Sequence, residues 1–313
     1  MPDTTVSASF LLEIGTEDLP ARFLPSAIQQ LKANAKTILE NHHVKFSHVI
    51  TYGTPRRLAV IVDGVPLMQE DSSKEVFGPP KQAAFDKEGN PTKAALGFAI
   101  SQGVNVKNLI LKAKDKGEYV VAVVEEKGIS VKDLLPEVLH KIVLSLHLPK
   151  SMRWGNGTIR FIRPIRWLVS LFDRETINFE IDGIKSSNFT RGHRFLSPAS
   201  FKITEIQSYK KLLVNNCVVV DHEERRAIIT DKMKTLLAPF DEKPVLDEEL
   251  IDTVTHLVEF PVPVLGSFST EYLTISELGH SQMKTGKRLE IRITWWSTST
   301  SGSATCRLNC SNT

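Results

Sequence analysis

The chain has few cysteines and no long apolar run, and both shortages narrow what it can be. Three cysteines in 313 residues cannot form a disulfide framework for a chain of this size, which favours a reducing, cytoplasmic setting. No stretch approaches the roughly 20 consecutive apolar residues that a membrane-spanning helix requires. The first residues lack the basic and apolar regions of a secretory signal peptide. The sequence therefore predicts a cytoplasmic protein with no membrane partner.

Motifs that bind nucleotides or activate a nucleophile are missing as well. The chain has no G-x-x-x-x-G-K-[ST] loop, no G-x-G-x-x-G turn after a strand and no G-x-S-x-G elbow. Cys306 and Cys310 have C-x3-C spacing, but no second pair of Cys or His follows to complete a zinc site. We therefore expect this chain to supply no catalytic residues and to bind no metal or cofactor of its own.

The net charge of +3 gives little support for nucleic-acid binding. Residues 281–313 contain five basic residues and one acidic residue, so the preceding 280 residues carry a net charge of −1. An argument for an anionic partner must therefore rest on local charge rather than on the total.

The order of predicted elements mixes strands and helices without a repeating βαβ unit, which indicates an α+β fold of mixed sheets with packed helices. Alternating or continuous apolar residues predict strands at 7–14, 46–52, 57–63, 118–125, 158–162, 167–172 and 177–181. Helical spacing predicts helices from about 20 to 38 and at 93–102, 131–146, 205–215, 221–237 and 247–258. Pro25 could delay the start of the first of these helices to that position. Residues 64–93, rich in proline, glycine and charge, are predicted to form a long loop. The run 222–226 (HEERR) is predicted to form a solvated helix face.

A proline and a change of texture suggest three regions. Pro149 cannot extend the preceding helix, so we expect one α+β domain at 1–148 and a second at 149–278. Residues 279–313 combine paired tryptophans with a Ser/Thr run and no period, which is typical of a disordered tail. A segment translated from a shifted reading frame would have the same texture.

The segment 150–194 is the most informative part of the chain. It contains nine basic residues against four acidic ones, interleaved with aromatic residues. Arginine holds phosphate through a planar fork and stacks on bases, so this pattern makes the segment a candidate for contact with RNA. Alternatively, these arginines coat the exposed sides of short strands and pair with local acids. Arg56 and Arg57, in a turn after Pro55, form a second candidate cluster.

Five motifs in a fixed order resemble the beta subunit of bacterial glycyl-tRNA synthetase. They are 10–20 (FLLEIGTEDLP), 54–58 (TPRRL), 149–155 (PKSMRWG) followed by 161–164 (FIRP), 191–195 (RGHRF) and 257–261 (LVEFP). The family usually has Glu where Asp18 stands. The resemblance covers about residues 8–278. After residues 283–285 (MKT) the family pattern is lost, which favours a shifted frame or a truncated gene model over an evolved tail.

The resemblance implies an α2β2 enzyme that attaches glycine to tRNA(Gly). In this family the alpha subunit holds the sites for glycine and for ATP with Mg, and the beta subunit binds and positions the tRNA. The N-terminal part is similar to the B3/B4-type module of phenylalanyl-tRNA synthetase beta. The alpha subunit and tRNA(Gly) are thus the expected partners. A stand-alone RNA-binding module or a protein-interaction scaffold remains the alternative. The candidate RNA-binding residues are Arg56, Arg57, Arg153, Arg163, Arg166, Arg191, His193 and Arg194.

Overall fold

The protein has an α+β fold, as the sequence predicts. The computed structural model describes residues 7–86, 88–114, 117–240 and 247–267, with short segments at 287–291, 295–296 and 303–304. It forms two compact units, one of Met1–Val65 with Leu135–Thr313 and one of Pro66–Leu134. The second unit is therefore an insertion into the sequence of the first.

The secondary-structure elements are numbered in chain order. The strands are β1 (Ser7–Thr16), β2 (His48–Thr54), β3 (Arg57–Pro66), β4 (Ser72–Pro80), β5 (Ile110–Lys114), β6 (Gly117–Glu126), β7 (Met152–Arg153), β8 (Arg160–Phe161), β9 (Ile165–Phe172), β10 (Glu175–Thr176), β11 (Glu180–Ile181), β12 (Ile184–Ser187), β13 (Phe189–Arg191), β14 (Ser200–Lys202), β15 (Pro263–Ser267), β16 (Lys287–Ile291), β17 (Trp295–Trp296) and β18 (Ser303–Ala304). The helices are α1 (Leu24–Asn41), α2 (Lys81–Ala84), α3 (Lys93–Ser101), α4 (Val131–Leu144), α5 (Tyr209–Asn215), α6 (His222–Leu237) and α7 (Glu248–Thr255).

The first unit is built around a sheet with strand order β11-β12-β9-β1-β3-β2, in which β10 also pairs with β9. Strands β1 and β9 are antiparallel, with Phe10 opposite Phe172 and Ile14 opposite Leu168. This pairing joins residues on both sides of the expected domain boundary at 148/149. That boundary therefore does not separate the two compact units, because β9 lies after Pro149 and pairs with β1 in the same sheet.

The two faces of the sheet bury different sets of residues. One face carries Leu11 and Trp167 and packs against Tyr209 and Leu213 of α5 in a buried apolar cluster. Helix α1 packs on the sheet at Gly53, where an added Cβ would lie 2.5 Å from Cδ1 of Ile28. A side chain in this position would push helix and sheet apart, so glycine sets their close approach.

Helix α1 follows the apolar spacing in the sequence. Its buried positions are Leu24, Ala27, Ile28, Leu31, Ala35 and Leu39. The helix begins at Leu24, near the later of the two predicted starts, because Ala21–Phe23 form a 3-10 turn and Pro25 lies in the first turn of the α-helix. Proline is tolerated there because its missing N–H has no helical partner to lose.

The predicted loop at 64–93 was wrong. Within it, β4 pairs antiparallel with β6, and β6 pairs with β5 in a three-stranded sheet of the second unit. Helices α2 and α3 cover a small core that contains Ala84, Ala95 and Val120. Strand β4 has the sequence SSKEVFGPP, and its charged residues and prolines are not typical of a strand. It forms a strand because it pairs with its neighbour in the sheet, not because of its own composition.

Helix α6 differs from its predicted solvated face at one residue. Asp221 caps the helix by accepting hydrogen bonds from the N–H groups of Glu223 and Glu224, as the acidic start of the helix suggests. Arg225, however, is fully buried. Its guanidinium donates to the carbonyl oxygens of Thr255, Val219, Val220 and Gly53 at 2.7–3.0 Å. The side chain thereby joins α6 to β2 and to the end of α7.

The expected tail at 279–313 lies mostly outside the described residues. Within it are β16, β17 and β18, and β16 pairs antiparallel with β15. Cys306 and Cys310 also lie outside the described residues, whereas Cys217 is a free thiol. Among the helices of the described segments, none is long and apolar enough to cross a membrane.

Candidate functional site

All five sequence motifs contribute residues to one end of the main sheet, the third motif through its 161–164 part. They contribute the end of β1, the turn between β2 and β3, the segment leading into β9 and the segments around 190–195 and 257–259. Backbone hydrogen bonds fix this arrangement, since the N–H of Thr16 donates to the carbonyl of Arg56 at 2.8 Å and that of Glu17 to Pro164 at 3.1 Å. Motif residues that are distant in the sequence therefore form one cluster, which we call the arginine–acid cluster.

Glu13 forms the inner part of the cluster and is fully buried. Its carboxylate accepts hydrogen bonds from Trp167 Nε1 at 2.5 Å, from Tyr209 Oη at 2.5 Å and from Thr190 Oγ1 at 2.8 Å. Burial, followed by the nearby Glu13 carboxylate, raises the pKa of Tyr209 well above its usual value. The phenol therefore remains protonated and serves as a donor to Glu13.

Arg57 is also fully buried and lies between two carboxylates. Its Nε donates to Glu259 Oε1 at 3.2 Å, and its Nη1 lies 3.8 Å from Glu13 Oε2. Nη1 also donates to the carbonyl oxygen of Arg191 at 2.8 Å. Burial alone would raise the pKa of Glu259, but the charge of Arg57 and a hydrogen bond from Thr54 hold it below its usual value. Arg57 thus ties together strands β1, β3 and β13 and the segment after α7.

A more exposed ring of charges surrounds this buried part. Arg194 Nη1 lies 3.2 Å from Asp18 Oδ2 and Nη2 lies 3.6 Å from Glu17 Oε2. Arg166 Nε lies 3.2 Å from Glu17 Oε1. Burial raises the pKa of Asp18, although the charges of Arg194 and Arg56 oppose this shift. The arginines of segment 150–194 that join this ring pair with acids at the end of β1 rather than with acids of their own segment.

The structure brings seven of the eight candidate RNA-binding residues together. Arg163 is half-buried and donates from Nε to the carbonyl oxygen of Asp18 at 3.1 Å. Arg191 is half-buried, with its Cζ 4.8 Å from the centre of the Trp167 ring. The other residues of the group are Arg56, Arg57, Arg166, His193 and Arg194. Arg153 instead lies on β7 and is exposed.

The candidate residues differ in how accessible their side chains are to RNA. The exposed Arg166, Arg194 and Arg153 have guanidinium groups that solvent can reach. Arg57 is enclosed and already holds two carboxylates, so contact with a phosphate would require the cluster to open. RNA contact by the candidate residues stays a prediction.

The sequence analysis missed the acidic and aromatic partners of Arg57. Glu13 and Glu259 were quoted only as parts of motifs, and Tyr209 was not considered. One signal was present, because Glu13 is a single charged residue within the apolar run FLLEI. A charge at such a position is stable only with a buried partner, and the partner here is 44 residues away at Arg57.

The described residues offer no obvious metal ligands. No group of three or more His, Cys, Asp or Glu side chains in this part of the chain is arranged to hold a metal ion. The described cluster can bind anions through arginine, and its carboxylates are engaged by those same arginines.

Comparison with known proteins gives the family. A family model described as glycyl-tRNA synthetase beta subunit matches residues 10–289. This match ends at residue 289, within the expected tail of 279–313 and shortly after residues 283–285.

Relatives support the same assignment. A glycine–tRNA ligase beta subunit from Thermodesulfovibrio yellowstonii is 45% identical over 269 residues, which cover 85% of this chain and 39% of the relative. Those from Syntrophus aciditrophicus and Moorella thermoacetica are 43% and 42% identical, over 86% and 87% of this chain and 39% of each relative. The chain thus spans about two fifths of the length of these relatives. It belongs to the glycyl-tRNA synthetase beta subunit family.

Proposed function

We propose that this chain is part of a glycine–tRNA ligase and binds tRNA(Gly), while a partner alpha subunit supplies the sites for glycine and for ATP with Mg. The observation that carries the proposal is the family match over residues 10–289. The chain itself contains no phosphate-binding loop, which is consistent with activation of glycine on another subunit. The proposed complex is an α2β2 heterotetramer that works in the cytoplasm.

We assign RNA contact to the exposed arginines of the cluster and its surroundings. The side chains of Arg166 and Arg194 are 54% and 43% exposed, so each can turn toward a phosphate while its acidic partner Glu17 orients it. Surface ion pairs of this kind contribute little to stability, so exchanging a carboxylate for a phosphate costs little. Arg153, exposed on β7 outside the cluster, would add a separate contact.

Glycylation tests the proposed role in the ligase. The alpha subunit mixed with this chain should glycylate tRNA(Gly) with ATP, and either protein alone should not. Equal glycylation by the alpha subunit alone would contradict the proposal. tRNA binding without any effect on the alpha subunit would favour a stand-alone RNA-binding module.

Salt-dependent binding tests the RNA surface independently of catalysis. Filter binding of tRNA(Gly) should weaken linearly on a log–log plot with salt, since each neutralised phosphate releases counterions. Changing Arg153, Arg166 and Arg194 together to Gln should reduce the slope by about 0.7–0.9 for each phosphate that is no longer neutralised. Arg174→Gln is the matched control, because Arg174 is exposed and pairs with Glu205 away from the candidate residues. An unchanged slope in the triple variant would contradict this surface.

A further inference from the structure

Arg56 lines a small pocket at the edge of the arginine–acid cluster. The pocket has a volume of about 50 Å³, and its walls include Pro55, His193, Arg194 and Leu257. Typical small-molecule sites measure roughly 300–1,000 Å³. The pocket therefore has room for a single chemical group and not for a whole nucleotide or an aminoacyl-adenylate.

The Nε of the Arg56 guanidinium is buried without a hydrogen bond in the described part of the chain. The residue is only 9% exposed, and its Nε has no partner among the described residues. The nearest carboxylate oxygen, Oδ1 of Asp18, lies 3.9 Å from Nε, which is too far for a hydrogen bond. The neighbouring Arg57 instead donates to Glu259, Thr190 and the carbonyl oxygen of Arg191. Buried charged donors almost always have acceptors, so the Nε of Arg56 is available to an acceptor that enters the pocket.

His193 presents a second donor to the same pocket. Its Nδ1 accepts hydrogen bonds from the N–H groups of Phe195 at 3.3 Å and Leu196 at 3.1 Å. In the neutral imidazole the proton must then lie on Nε2. Burial lowers the pKa of His193, so the neutral form persists at physiological pH. The ring is therefore fixed by the backbone as a donor rather than an acceptor.

The charges around the pocket favour an anionic group. Arg56 and Arg194 contribute two positive charges and Asp18 contributes one negative charge. Glu259 also lines the pocket and shares the charge of Arg57 with Glu13. The positive surplus comes from the wider cluster, in which Arg163, Arg166 and Arg191 add three positive charges and Glu17 adds one negative charge. A zwitterionic amino acid carries no net charge and would leave the positive surplus of the cluster uncompensated. A phosphodiester carries a single negative charge and accepts hydrogen bonds through two oxygens, which suits a guanidinium fork.

We propose that this pocket, with Arg56 as its buried anchor and His193 and Arg194 as further donors, binds one phosphodiester group of the RNA. The inference rests on the proposed function, since it assumes that the partner is RNA. It adds a fixed point to the basic surface, because a buried arginine with one geometry holds the phosphate in register. The exposed arginines contribute charge, and Arg56 contributes position.

Binding of tRNA(Gly) to the full chain tests the anchor. Arg56→Gln should weaken binding roughly 10- to 100-fold, because glutamine cannot replace the charged hydrogen bonds that the guanidinium donates to the phosphate. It should also reduce the salt slope by about 0.7–0.9. Arg56→Lys keeps the charge without the fork, so it should keep most of the slope and lose part of the affinity. Arg174→Gln is the control and should match the wild type. Wild-type affinity and slope in Arg56→Gln would overturn the anchor.

A variant that should strengthen RNA binding separates loss of the anchor from loss of folding. Asp18→Asn removes the negative charge from the pocket and should tighten RNA binding roughly threefold or more, which a damaged fold would not do. Weaker binding by folded Asp18→Asn would overturn the charge argument. If the wild type fails to bind tRNA at all, the proposed function fails as a whole. RNA binding that is unaffected in all three variants overturns the anchor alone.

Calorimetry with small ligands separates RNA from free anions. Inorganic phosphate and glycine should bind the wild type only weakly, because a pocket for one group of a polymer lacks the further contacts that a free ligand needs. Micromolar binding of either ligand that disappears in Arg56→Gln, combined with unchanged RNA binding, would assign the pocket to a free molecule and overturn the proposal.

Discussion

Glu13 Oε2 on β1 and Arg57 Nη1 on β3 lie 3.8 Å apart, and both side chains are fully buried. Taking both charges out of water is costly, and the surrounding hydrogen bonds from Trp167, Thr190 and Tyr209 offset that cost. The pair therefore determines how the two strands pack together more than it adds to the free energy of unfolding. Replacing only one of the two residues should be far more destabilising than replacing both, because the other charge would remain buried without a partner.

Arg57→Met should lower the free energy of unfolding by about 3–5 kcal/mol, because Glu13 and Glu259 would remain buried without a cation. Urea denaturation at neutral pH measures this change. Arg22→Met is the control, since Arg22 is exposed and should change stability by no more than about 0.5 kcal/mol. Equal destabilisation in the two variants would show that the Arg57 pairings do not form.

Tyr209→Phe removes one hydroxyl that donates to Glu13 and leaves the ring in place. We expect a decrease in stability of about 1.5–3 kcal/mol, which is typical for a hydrogen bond to a charged group. Tyr52→Phe is the matched control, because the Tyr52 hydroxyl donates no side-chain hydrogen bond within the described residues. Denaturant midpoints of the two variants should differ clearly, and a shift confined to Tyr52→Phe would refute the arrangement around Glu13.

Adjacent arginines in α6 give a second matched pair. Arg225→Met should cost roughly 3 kcal/mol or more, because four buried carbonyl oxygens would lose their donor. Arg226→Met removes ion pairs with the exposed Glu248 and Asp252 and should cost no more than about 1 kcal/mol. Thermal unfolding would rank the two variants, and the reverse ranking would mean that Arg225 lies at the surface.

Stability should fall with acid through His256. Its Nδ1 donates to the carbonyl oxygen of Asp252, and burial, followed by the charge of Arg225, lowers its pKa to about 4. The unfolded chain has the ordinary value near 6.5, so it binds more protons than the folded chain between these two values. The contribution of His256 is therefore complete above about pH 6.5 and is lost as the pH falls toward about 4.

His256→Asn removes this titration and keeps a side-chain donor for the carbonyl oxygen. The melting temperature of the wild type should fall more steeply between about pH 6.5 and 4 than that of the variant. Parallel curves would show that the imidazole is not held neutral. His43→Asn serves as the control, because His43 is exposed and asparagine tolerates its positive φ of 51°.

The sequence predicted local elements well where apolar residues recur. Helix α1 and strand β9 follow directly from such spacing, since their apolar positions face a core. Strand β4 could not be predicted in this way, because its stability comes from β6, which lies much later in the chain. The boundaries of the compact units could not be predicted either, since neither the sequence of β1 nor that of β9 identifies the other as its partner.

Recognition of motifs predicted where the site would be but not how it is built. Arg56 and Arg57 are neighbours with the same chemistry, yet one lines an open pocket and the other is enclosed. The difference arises from Glu13 and Glu259, which approach from distant parts of the chain. A sequence pattern shows residue types, whereas burial and partners depend on the complete fold.

The central place of β1 has a consequence for synthesis on the ribosome. Strand β1 is made before β9, and its β9 edge has no partner until Ile165–Phe172 have left the exit tunnel. Glu13 likewise has no cationic partner until Arg57 is made, and Arg57 has no Glu259 partner until the chain is longer still. An unpaired edge beside an uncompensated charge is exposed during that interval, and such edges readily join other chains. The buried glutamate makes this nascent strand a poor template for aggregation, so the residue that fixes the finished sheet also protects the unfinished one.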